Sequence, residues 1–310
     1  MVYISKIISS YSFCLIELKF TLSILLCFST LTLQAERKSW QFNEGSDSLK
    51  TSDTNYEVYD IITDLPRNYY SFFSEGFSGE HLQTFIGVGL LSAVLYCTDY
   101  QTHGDVKSFF NHSHSFNSFC NSAVYIGDGK YHLCLAGGMA LFGLISVNKR
   151  EVKTALDITE SLIASGLMVQ GLKRVFGRES PQLASVRSGK WRPFPKLKVY
   201  QKNQPKYYSF PSGHITSISS TFAVLLNNYP EIGWIKPLGY GMICATGVSL
   251  MAKDMHWLSD FPLGIFIGYT FGKIVSQPVV LAKGISSEDT KVNIAPYYNQ
   301  GYGLTLNLEF

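Results

Sequence analysis

The chain has 310 residues, of which 46% are hydrophobic, 14% aromatic and only 16% charged, with a formal net charge of +3. A charged share well under the usual quarter, with a mean hydropathy of +0.08, is high in apolar content for a soluble protein. So small a net charge, with no basic stripe interleaved with aromatics, argues against nucleic acid as a partner.

In chain order, residues 1–35 read as a targeting segment. Lys6 and Lys19 precede an apolar run from Phe20 to Leu33, closed by Gln34-Ala35. Cleavage of a signal peptide after Ala35 is the simplest reading, and an uncleaved N-terminal anchor is the alternative. Residues 36–80 read as a polar linker followed by an interfacial cap, the cap carried by the aromatic stretch at Tyr69-Tyr70-Ser71-Phe72-Phe73.

Residues 81–275 hold six apolar segments, near 82–98, 131–147, 154–175, 215–227, 234–252 and 258–275. With few strand signals among them, they predict an all-α, six-helix bundle. Gly264, Gly268 and Gly272 recur every four residues, which places them on one helical face. That face suits close packing inside the bundle, with a dimer contact as the alternative. Asp99 and Asp128 read as turn residues. Of the cysteines beyond the leader, Cys97, Cys134 and Cys244 sit in apolar runs and read as small buried hydrophobes. No close Cys pair exists, so neither a disulfide framework nor a zinc site is expected, and His112 and His114 lack spaced partners for a metal.

Residues 276–310 form a tail whose period changes to two. Tyr302, Leu304, Leu306, Leu308 and Phe310 alternate with smaller or polar residues, and 292–298 can pair with them across Asn299-Gln300-Gly301 as a short β-hairpin.

Three stretches carry chemistry. Lys173-Arg174-Val175-Phe176-Gly177-Arg178 closes an apolar segment with three cations, a set that suits an anion with several oxygens. Pro211-Ser212-Gly213-His214 opens the next segment with a hydroxyl, a glycine N–H and an imidazole, groups that hold an oxyanion or move a proton. His256 follows, with Asp260 one helical turn on and able to orient its ring, as a nucleophilic or basic imidazole needs. Lys253, about one turn before His256, can share its face. The loop 181–211 joins two of these stretches and carries Arg187, Lys190, Arg192, Lys196, Lys198, Lys202 and Lys206, a basic lip able to draw in an anionic substrate.

In this order the three stretches resemble the type 2 phosphatidic acid phosphatase superfamily, which includes class A acid phosphatases and vanadium haloperoxidases. Its pattern is Lys, six residues, Arg-Pro; then Pro-Ser-Gly-His; then Ser-Arg, five residues, His, three residues, Asp. Lys173, Pro181, Pro211 to His214, Ser249, His256 and Asp260 fit. Ser180 and Leu250 stand where the pattern has its two phosphate-binding arginines. The resemblance spans about residues 81–275.

It implies a metal- and cofactor-independent phosphatase, and the leader and the apolar composition favour a membrane-associated envelope protein with its site towards the periplasm. The substrate would be a phosphorylated lipid or a small phosphomonoester. His256 would be the nucleophile, oriented by Asp260, and His214 the general acid. Lys173, Arg178, Ser212 and Gly213 would hold the phosphoryl oxygens, with Lys253 auxiliary. The two missing arginines motivate one alternative, a relative that binds a phosphorylated lipid without efficient turnover; vanadate-dependent halide oxidation would use the same pocket, and the lost arginines weigh against it.

Overall fold

The computed structural model describes residues 59–76, 78–277, 291–298 and 302–309. The expected leader and the linker up to residue 58 lie outside them. The described residues fall into two compact units, divided after Ser276.

The first unit is helical. Its elements are α1 (Asp60–Thr63), α2 (Leu65–Gly76), α3 (Gly79–His112), α4 (His114–Ala123), α5 (Gly129–Ile145), α6 (Lys149–Phe176), α7 (Leu197–Lys202), α8 (Gly213–Asn228), α9 (Ile235–Ala252) and α10 (Phe261–Ser276), with short 3-10 turns at Val124–Gly127, Pro181–Leu183, Gln204–Lys206 and Leu258–Asp260. The six expected apolar segments correspond to α3, α5, α6, α8, α9 and α10. In the second unit β1 (Lys291–Tyr298) pairs antiparallel with β2 (Tyr302–Glu309), Ile294 opposite Leu306.

Local chemistry sets the ends. The side chains of Asn148 and Asp128 accept hydrogen bonds from Arg150 N and Lys130 N at the starts of α6 and α5. Gly177 ends α6 in the left-handed conformation at φ 56°, and a Cβ there would lie 1.8 Å from Arg192 O, so only glycine fits.

The glycine stripe of α10 packs inside the bundle. A Cβ on Gly264, Gly268 or Gly272 would lie 2.8, 2.3 or 2.5 Å from the carbonyl oxygens of Ser212, Thr216 and Ser220, so α10 and α8 meet backbone to backbone. The carboxylates that interrupt α6 are also tethered across the bundle. Asp157 accepts from Lys153 Nζ at 2.6 Å and Asn228 Nδ2 at 2.8 Å, and Glu160 accepts from Asn68 Nδ2 at 2.5 Å. The cap residues join the core, with Phe72 stacked on Phe271 at 4.7 Å between centroids.

Two expectations are corrected. Asp99 is not a turn residue: the first apolar segment continues as one 34-residue helix, and Asp99 lies fully buried within it. Nor are the three cysteines buried hydrophobes, because Cys97 and Cys134 lie on the outward faces of their helices and Cys244 is half-buried. Those outward faces are apolar. Leu82, Ile86, Leu90 and Val94 of α3 are exposed, as are Leu133, Leu141, Phe142 and Ile145 of α5. Among the described residues, α3 is the one helix long and apolar enough to cross a membrane.

Candidate phosphoryl site

The three stretches meet where α6 ends, α8 begins and the 3-10 turn Leu258–Asp260 precedes α10. Ser212 N donates to Asp260 O at 3.1 Å, tying the Pro-Ser-Gly-His turn to the third stretch. The His214 and His256 ring centroids lie 6.3 Å apart. Lys173 Nζ sits 5.1 Å from the Tyr208 ring centre and 3.8 Å from where a Gly213 Cβ would be. Lys173, Gly213, His214, His256 and Asp260 are thus brought together, although 87 residues separate the first from the last.

His256 and Asp260 pair, but not along a helix. His256 lies in an extended segment before the 3-10 turn, its Nδ1 3.4 Å from Asp260 Oδ2. That oxygen also accepts from Ser209 Oγ at 2.6 Å and Trp257 N at 2.8 Å. With Nδ1 directed at the carboxylate, the Nε2 lone pair is the free one. His256 Nε2, Ser180 Oγ and Ser212 Oγ are all buried without a hydrogen-bond partner. Among the described residues five other buried side-chain atoms share this state, but these three belong to the motif residues, and a bound anion would satisfy them. Among the described residues Lys173 makes no salt bridge, and its ammonium is free to face the same group.

Arg178 is differently employed. Nη1 donates to Asp260 Oδ1 at 2.5 Å and Ser259 Oγ at 2.7 Å; Nη2 donates to Asp99 Oδ2 at 2.6 Å and Ser188 O at 2.8 Å; Nε reaches Ser188 O at 3.3 Å. All five donors of a guanidinium are used, leaving none for an anion. Asp99 accepts further from Ser259 N at 3.0 Å and Ser259 Oγ at 2.5 Å. A buried chain thus runs from Asp99 through Arg178 and Asp260 to His256. Asp99 and Arg178 as supports of Asp260 were not legible from spacing.

Lys253 does not enter the pocket. It caps α9, and Nζ donates to Asn121 Oδ1 at 2.8 Å. The segment after α9 is not helical, so the one-turn spacing to His256 does not hold. Leu250, at the position of the second missing arginine, is fully buried in the apolar core. Tyr208, unremarked in the sequence, lies against Ser180 and has its ring 6.0 Å from that of His256.

Burial holds both histidines neutral. His214 is pushed down to about 4 by burial, then by His256 and Lys173. His256 is lowered by burial, with the Asp260 hydrogen bond opposing. Lys173 is lowered to about 8 by burial, with Asp260 opposing. Burial works to raise the Asp260 carboxyl, but Arg178, His256 and Ser209 overcome it and hold the group below the usual carboxylate range.

The loop that follows α6 is ordered around Glu179. Its carboxylate accepts from Ser185 N and Lys190 N, each at 2.9 Å, and pairs with Arg192. Lys190, Lys196, Lys198, Lys202 and Lys206 remain exposed beside Phe194 and Leu197.

The helical bundle thus gathers two histidines, a buried aspartate and a lysine without a salt bridge where its helices end. Residues 154–281 match the family model of the PAP2 superfamily, a stretch that contains all three motifs. No curated protein matches the chain. The crystal structure of a transmembrane PAP2-type phosphatidylglycerolphosphate phosphatase from Bacillus subtilis is similar at 16% identity and a TM-score of 0.42, over 62% of this chain and 91% of that one.

Proposed function

We propose that this chain is an envelope phosphatase that hydrolyses a phosphomonoester or pyrophosphate of a lipid or another amphiphile through a phosphohistidine. The observation that carries the reading is the orphaned His256 Nε2, set with the orphaned hydroxyls of Ser180 and Ser212 beside the free ammonium of Lys173. The His256 Nε2 lone pair attacks phosphorus, and the bond to the leaving oxygen breaks. His214, neutral in the empty site, takes up a proton with the anion bound beside it and passes that proton to the leaving oxygen. Water then attacks phosphorus and gives a proton to His214, while the P–N bond electrons return to Nε2. Asp260 holds the Nδ1 proton of His256 and stabilises the cationic ring.

Lys173, Ser212 and the Gly213 N–H bind the phosphoryl oxygens, with Ser180 added to the expected set. Arg178 acts one step back, by fixing Asp260. The exposed apolar faces of α3 and α5 suit a bilayer, and the lysine-rich loop suits its anionic surface. We place the site on the periplasmic side of that bilayer.

A second reading is favoured by the same site: two motif arginines are absent, Leu250 is packed in the core, and Arg178 has no donor to spare. It is a relative that binds a phosphorylated lipid without efficient turnover. Phosphate release by the purified full chain from phosphatidic acid, pyrophospholipids and p-nitrophenyl phosphate, in wild type and His256→Ala, separates the two. Release that depends on His256 supports hydrolysis; binding without release supports the second reading.

A further inference from the structure

The buried charges of the site cancel. Asp99 and Asp260 are both carboxylates engaged by donors only, and both touch Arg178. Lys173 is the second cation. Two anions and two cations leave no net charge for an incoming anion to meet at pH 7.5; burial raises Asp99 to about 6, so below that pH it loses its charge and the site gains a positive one.

The surrounding groups do not alter the count. Asp128, near His214, pairs with Lys130 Nζ at 2.9 Å. His132, also near His214, lies buried with Nε2 2.8 Å from Ile126 O. Tyr208 is a half-buried phenol, and Glu179 is matched by Arg192. The donors left for the ligand are the neutral hydroxyls of Ser180 and Ser212, the Gly213 N–H and Lys173. A dianion in this enclosed site would leave one charge more uncompensated than a monoanion, and in a buried site that cost is large.

We propose that the site takes its phosphoryl group in the singly charged form, as a phosphodiester or a protonated phosphomonoester, in preference to the dianion. This rests on the reading of the site as a phosphoryl site, and it specifies the substrate class. With a monoanion bound and His214 protonated, the site is again neutral, which is the arrangement general acid catalysis needs. A protonated monoester can bring that proton with it. A diester relies on His214 acquiring one from solvent.

The test is binding, measured by calorimetry on the purified full chain at pH 5 and pH 7.5 with two probes. Methyl phosphate changes from monoanion to dianion near pH 6, so its monoanionic fraction falls about thirtyfold between those values. Dimethyl phosphate is a monoanion at both and controls for titration of the protein. The expected result is that methyl phosphate weakens ten- to thirtyfold more than dimethyl phosphate between pH 5 and pH 7.5, any loss shared by both probes reporting the titration of Asp99. Ser180→Arg, which adds a cation to the pocket, should restore methyl phosphate binding at pH 7.5; the wild-type comparison decides the matter even if that variant does not fold. A methyl phosphate loss no larger than that of dimethyl phosphate, or no dimethyl phosphate binding at either pH, overturns the proposal. Turnover of p-nitrophenyl phosphate is scored separately. Its absence removes the hydrolase reading, whereas the binding pattern alone decides the charge preference, and the arm that binds best distinguishes diester from protonated monoester.

Discussion

Arg178 Nη1 lies 2.5 Å from Asp260 Oδ1, with both side chains wholly removed from solvent. The cation expected to grip the ligand instead grips the residue that orients the nucleophile. Removing it strands two buried carboxylates, Asp99 and Asp260. Arg178→Ala should therefore cost about 3–5 kcal/mol of stability, measured by denaturant unfolding in detergent. Asp99→Asn preserves shape and loosens Arg178, so it should lower kcat by more than it raises KM. A change confined to KM would mean that Asp99 has no part in positioning Asp260.

Gly268 touches Thr216 O so closely that a methyl group cannot be placed between them. Gly268→Ala should force α10 from α8 and cost roughly 1–3 kcal/mol. Gly166 of α6 has open space around its Cβ position, so Gly166→Ala should leave Tm unchanged or raise it. Thermal unfolding of the two variants checks the packing directly.

Charging the two site histidines should cost stability. His214 and His256 are held below their ordinary value by burial, so the unfolded chain binds protons first as pH falls. The stability they contribute as neutral rings is fully present above about pH 6.5 and is lost progressively towards pH 4. Asp260, held low, adds a loss at still lower pH. The rings' share is read as a difference: between pH 7 and 5 wild type should lose more, or gain less, Tm than His214→Gln, and an identical change in the two would show that His214 is not buried neutral.

The bundle was readable from the apolar segments, because each hydrophobic run is long and periodic enough to declare itself. So were the histidines, since Pro-Ser-Gly-His and His256 with Asp260 are local patterns. What was not readable depends on contacts distant in sequence. Asp99 lies 79 residues from Arg178, and no spacing rule joins them; an isolated aspartate within an apolar run was itself the available signal, since a buried charge needs a partner. Lys253 departs from the one-turn spacing because α9 ends just before it and the chain turns through Asp254 at φ 59°.

The exposed lysines of the loop after α6 offer a separable function. Replacing Lys196, Lys198 and Lys202 together by Gln should raise KM for an anionic lipid in mixed micelles severalfold, and more at low salt. Turnover of a soluble phosphomonoester should change less than twofold. Equal losses on both substrates would place those lysines at the reacting group instead of at the lipid surface.

The most direct measurement is rapid quenching of the purified chain with a phosphorus-labelled substrate, followed by mapping of acid-labile, base-stable label. The account predicts label on His256 approaching one per chain, absent in His256→Ala, and accumulating when His214 is replaced by Ala and paired with an activated leaving group that needs no proton. Phosphate release with no label on His256, or undiminished release by His256→Ala, would contradict it.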